Sequence, residues 1–121
     1  MTKGEALYVF FNSFSIPAYT STSVPSDADF PYITYDSVFD SWGNKVALYV
    51  NLWYRTESEA IPNAKAQEIS DAIGYGKYIL CDGGAIFLQR GTPWCQALSD
   101  PDDAKIKRRY INITMEFLTL N

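Results

Sequence analysis

Alternation along KVALYVNLWYR, residues 45–55, predicts a strand that is apolar on both faces. Read by twos, Val46, Leu48, Val50, Leu52 and Tyr54 share one side, and Ala47, Tyr49, Asn51 and Trp53 share the other. An antiparallel strand with one face on a core normally shows water a polar second face. Here Tyr49 and Trp53 stand where polar residues should be. The pattern therefore asks for a cover: a helix, a second sheet, or another copy of the chain.

Elsewhere the periodicity switches between helix and strand. Leu7, Phe10, Phe11 and Phe14 recur at helical spacing. Thr2-Lys3-Gly4-Glu5 opens that helix as a capping box, and Ile16-Pro17 stops it. Residues 21–29 are polar and contain Pro25, which reads as a loop. Residues 32–39 read as a strand, and Asp40-Ser41-Trp42-Gly43-Asn44 as the turn into 45–55. A second helix opens at Glu57 or Ser58 with Pro62 early, where a missing N–H costs least, and stops at Gly74. Ala60, Ala64, Ile69, Ala72 and Ile73 form its apolar face. Strands at 77–81 and 85–90 flank Asp82-Gly83-Gly84, a hairpin signal because glycine adopts positive φ without steric cost.

Residues 91–103, with two prolines, read as a loop. Residues 108–119 read as a long last strand with Arg109, Ile111, Ile113, Met115 and Phe117 on its apolar register. The order is thus α-β-β-α-β-β-β. This is an α+β chain, one domain over residues 1–121: a single layer of mainly antiparallel sheet, four to five strands, packed by two helices.

Length agrees with one domain able to bury a core. Aromatics make up 16% of the chain, which suits either an aromatic-rich core or a surface that becomes buried on assembly. A net charge of −4 disfavours a dedicated nucleic-acid binder, whose affinity comes from neutralising phosphates. No apolar run reaches membrane-spanning length, and the first residues carry no cleavage pattern of a signal peptide. A cytoplasmic place of synthesis is expected, with Cys81 and Cys95 as reduced thiols.

Candidate chemistry is thin. The chain has no histidine, the residue most used for proton transfer near neutral pH and for metal ligation. The two cysteines form no CxxC pair, and neither a catalytic, a metal nor a cofactor site is expected. Asp100, Asp102 and Asp103 cluster, but without the glycine and distal glutamate of an EF-hand loop, and solvated loop charges are the simpler reading. An enzyme or ligand-binding domain using Cys81 or Cys95 with these aspartates is the alternative of a different class.

Lys105, Lys107, Arg108 and Arg109 form the basic cluster, which serves either DNA, an acidic partner or a solvated strand entrance. Arg109, on an apolar register, needs a partner inside the fold or across an interface. Trp94, beside Pro93, either folds back as a lid over the core or projects into another subunit. Tyr49, Trp53, Trp94 and Arg109 are the interface candidates.

FPYITY (30–35), NLWYRT (51–56), DGGAI (82–86), GTPW (91–94), SDPDD (99–103) and RRYINITMEFLT (108–119) together carry a resemblance. With these segments the chain resembles the tail terminator or tail-completion family of tailed phages and prophages of Firmicutes, over nearly its full length. The resemblance implies a non-enzymatic virion protein, assembled in the host cytoplasm into a homo-oligomeric ring, usually a hexamer. Such a ring caps the tail tube, meets the sheath where there is one, docks the head connector, and passes DNA through its lumen without binding it specifically. A head-side connector, stopper or other neck protein is the neighbouring alternative. The resemblance transfers no site residue, so the four interface candidates rest on patterning alone.

Overall fold

A computed structural model describes residues 1–121. Thr2 caps the first helix as the capping box requires. Its hydroxyl accepts from the Glu5 N–H, and the Glu5 carboxylate accepts from the Thr2 N–H. Helix α1 spans Lys3–Phe11 and runs into a single 3-10 turn, Asn12–Phe14, which ends at Ser15 in the left-handed region. Strand β1 follows at Ala18–Thr20, β2 at Tyr32–Tyr35 and β3 at Lys45–Arg55. Helix α2 covers Ala60–Ile73 and stops at Gly74, whose φ is +58°. The chain closes with β4 at Lys77–Cys81, β5 at Gly84–Ser99 and β6 at Ile106–Thr119.

All strands join one six-stranded sheet in the order β1-β2-β3-β6-β5-β4. The α+β class expected from the pattern holds, but the sheet has six strands and is mixed, because β1 pairs parallel to β2. The extra strand is β1, three residues long, which the sequence left between the first helix and the polar loop. Strand β2 ends at Tyr35, four residues short of the expected 39, and β6 begins at Ile106.

The largest correction concerns residues 91–103. Most of this expected loop is strand: β5 continues to Ser99 and pairs with β6 on both sides of an irregularity between Arg90 and Cys95. Arg90 opposes Ile113 and Cys95 opposes Ile111, so residues 91–94 bulge opposite Asn112 alone. Such a bulge tolerates Pro93, which cannot donate to a ladder. Gly91 is required there, since a Cβ would lie 2.8 Å from that of Asn112.

Both helices lie on the same face of the sheet. Leu7, Phe10 and Phe11 of α1 and Ala66, Ile69 and Ile73 of α2 join one cluster with Leu48, Val50, Leu52, Ile86, Leu88, Ile111, Ile113, Met115 and Phe117. Phe11 stacks on Tyr35, with ring centroids 4.6 Å apart.

The two borders of the sheet are finished differently. On β1, the Asn12 side chain acts as a substitute strand: its Oδ1 accepts from the Ala18 N–H at 3.0 Å, and its Nδ2 donates to the Ala18 carbonyl at 3.3 Å. Strand β4 pairs with β5 and with no other strand.

Candidate functional site: the open face of the sheet

Strand register places a second set of side chains on the face away from the helices. Tyr32, Trp53 and Arg108 oppose one another across β2, β3 and β6; Thr34, Asn51, Tyr110 and Gln96 form the next row; Tyr49 and Asn112 form the row after. No element of the chain lies over these rows. The two-faced strand expected at 45–55 is therefore present, and neither of its own helices supplies the cover.

Within that face the aromatic rings pack on each other. Tyr49 stacks on Tyr110 at 5.5 Å between centroids, and Tyr32 on Trp53 at 6.2 Å, each pair within 20° of parallel. Tyr19 of β1 leans on Tyr32 at 6.0 Å. The Trp53 indole N–H donates to the Thr34 hydroxyl at 2.9 Å, and the Arg108 guanidinium lies 5.3 Å from the Trp53 ring centroid. Trp53 is thus half-buried and anchored by its neighbours, whereas Tyr49 remains 42% exposed. Two polar atoms under this layer, Asn51 Oδ1 and Arg108 Nε, are shut from solvent and have no hydrogen-bond partner.

Burial, followed by the neighbouring Tyr19, raises the Tyr32 phenol above its ordinary range. Burial and then Tyr49 do the same for Tyr110. Both hydroxyls stay protonated at physiological pH and can donate. The surface is therefore a rigid layer of ring edges and hydroxyls, the composition found where proteins meet proteins. Tyr19, Tyr32, Arg108 and Tyr110 are not among the interface candidates that the sequence pattern supplies. The alternation of 108–119 already put Tyr110 opposite the apolar register, but the pairing with β3 that joins it to Tyr49 is a long-range fact.

The other two candidates belong elsewhere. Trp94 sits at the β5 bulge and turns to the helical face, where it packs against the core and donates its indole N–H to the Ala66 carbonyl of α2 at 3.3 Å. Of the two readings open for it, the lid within its own chain is the one present. Arg109 is 2% exposed, and its partners are internal: Nε donates to Asn63 Oδ1 at 2.9 Å, and Nη2 meets the Glu59 carboxylate. It is a core residue of the subunit, and of the two kinds of partner open to it the internal one is present.

The basic cluster does not form one patch. Lys105 reaches toward Glu57 at 3.9 Å, Lys107 donates to the Ala104 carbonyl, Arg108 lies on Trp53, and Arg109 is inside. Asp103 accepts from the Lys105 N–H and pairs with Arg55 at 3.0 Å, while Asp100 accepts from the Asp102 N–H. These aspartates hold a turn. No three His, Cys, Asp or Glu side chains converge as a metal cluster. Burial raises both thiols, Cys81 and Cys95, above the usual cysteine range, the opposite of the activation a thiolate nucleophile needs. No helix is long and apolar enough to cross a membrane. No known protein family, curated protein or solved structure matches the chain.

Proposed function

We propose that this chain is a structural subunit that assembles with copies of itself, and that it serves as a ring-forming phage tail terminator. One observation carries the reading: both helices pack on the other face of the sheet, and the face bearing Tyr49, Trp53 and Tyr110 keeps Tyr49 42% exposed. An aromatic layer that leaves Tyr49 so exposed gains by meeting a protein surface. The resemblance to tail terminators supplies the kind of assembly, a closed ring on the end of a tail tube.

Native mass spectrometry of the purified chain, with negative-stain images of the same sample, tests this. A closed oligomer that binds tail tubes at one end supports the terminator. A ring that binds only head connectors moves the chain to the head side of the neck. A subunit that stays single at every concentration, with and without tubes, removes the proposal.

A further inference from the structure

Strand β4, the unpaired border of the sheet, carries an apolar and poorly protected sequence, KYILC. Natural sheets guard such borders with charge, proline or a covering element. Here Leu80 is 77% and Tyr78 62% exposed, and Lys77 is the strand's one charge. Beside the border runs an apolar groove of about 360 Å³ between β4 and α1, lined by Ala6, Val9, Phe10, Ile79 and Leu80 among others.

Backbone polarity limits what can bind. Cys81 and Gly84 close the hairpin as opposed residues, so inward and outward groups alternate from there. The even-numbered residues point off the border. Asp82 is satisfied, its N–H bonded to the Met1 carbonyl at 2.7 Å, and the Gly76 N–H is bonded to the Ile73 carbonyl at 3.0 Å. Tyr78 and Leu80 lie between these two closed positions and offer N–H and C=O groups outward.

That pair is self-complementary. An antiparallel copy centred on Ile79 sets Tyr78 against Leu80 of its twin and Leu80 against Tyr78, which satisfies every outward group in the gap. Charge selects the same arrangement. The hairpin carries Lys77 at one end and Asp82 at the other, whose carboxylate pairs with the Met1 ammonium at 2.8 Å and stays 63% exposed. Antiparallel pairing brings each cation beside the opposite anion, whereas parallel pairing brings lysine to lysine. The exposed Val9 of each α1 would then flank the seam.

We propose that β4 is the docking edge for β4 of a second copy, joined about a two-fold axis into a continuous sheet. The contact is isologous, unlike the head-to-tail contacts that close a ring. It is separate from the aromatic face and stands whether or not that face closes a ring.

Register gives a direct test. Centring on Ile79 opposes Lys77 to Cys81 of the twin in a pair with Cα atoms about 4.5 Å apart, within disulfide range. Within one chain the same two residues are about 13 Å apart, out of range. Under mild oxidation, Lys77→Cys should give a covalent dimer whose peptide map joins the introduced thiol to Cys81. Adding Cys81→Ser should abolish it, and adding Leu80→Lys should slow it at least tenfold. Both 77 and 80 are exposed, so unchanged melting confirms folded variants. In the unmodified chain, the Tyr78 and Leu80 amides should exchange slowly when concentrated and rapidly on dilution. Absence of the 77–81 cross-link, its indifference to Leu80→Lys, or concentration-independent exchange at these amides would each overturn the proposal. Tyr49→Asp, which strikes the open face, should leave the cross-link intact.

Discussion

Arg109 reaches from inside the core to Glu59 at the N-cap of α2, so one end of this ion pair is 2% exposed and the other 62%. The pair ties the start of α2 to β6. Glu59→Ala leaves the guanidinium with Asn63 and water, and should cost about 1–3 kcal/mol. Arg109→Met, which removes the buried charge altogether, should fall within about 1 kcal/mol of the parent or exceed it, because desolvating a charge offsets most of what its partner returns. Urea midpoints of the two variants check the order.

Tyr49 and Trp53 share a face but not a role. Tyr49 is held only by stacking on Tyr110, so Tyr49→Asp should abolish association through the open face while the melting temperature stays within a few degrees of the parent. Trp53 also bonds Thr34 and supports Arg108, so Trp53→Ala should lower stability by about 1–2 kcal/mol as well as weakening assembly. Light scattering and thermal melting on the same samples separate the two effects.

Trp94 closes the β5 bulge against α2 of its own chain. Trp94→Phe keeps most of the packing and loses the bond to Ala66, a change of about 1 kcal/mol. Trp94→Ala should cost about 2–3 kcal/mol, somewhat less than a fully buried tryptophan. Neither should alter oligomer size, as sedimentation velocity would show.

Two carboxyls make the fold sensitive to acid. The Thr2 backbone N–H, and then its hydroxyl, hold Glu5 below the ordinary glutamate range. The Lys105 backbone N–H, and then Arg55, do the same for Asp103. Each binds a proton less readily folded than unfolded. Their contribution is complete above the ordinary carboxylate range of about 4 and is lost as pH falls through the lowered folded values. The urea midpoint should be flat down to about pH 5 and then decline, and the decline should be shallower in Glu5→Gln with Asp103→Asn.

Elements with strong local grammar were legible in the sequence. The double alternation at 45–55 gave β3 to the residue, Thr2 and Glu5 gave the start of α1, and Gly83 and Gly84, with φ of +86° and +150°, closed the hairpin between β4 and β5. Gly84 is also forced by space, since a Cβ there would strike the Leu118 carbonyl. Local grammar failed where a distant partner decides. Ala18–Thr20 is a strand only because β2 lies alongside it. Residues 95–99 stay in the sheet because β6 is long enough to pair with them beyond a glycine and a proline. The open face could be anticipated on β3, but its other half required the register that sets Tyr110 beside Tyr49. Arg109 posed the right question in the sequence, and only folding brought Glu59 and Asn63 to answer it.

The amide of Asn12 on β1 has a consequence for growth. A sheet with two bare margins can add units without limit and become a fibre. Here the Asn12 amide already occupies the Ala18 N–H and C=O, so β1 offers less free backbone than β4. Under the β4 pairing proposed above, a twin would take up the more open margin of both molecules, and strand addition would stop at two.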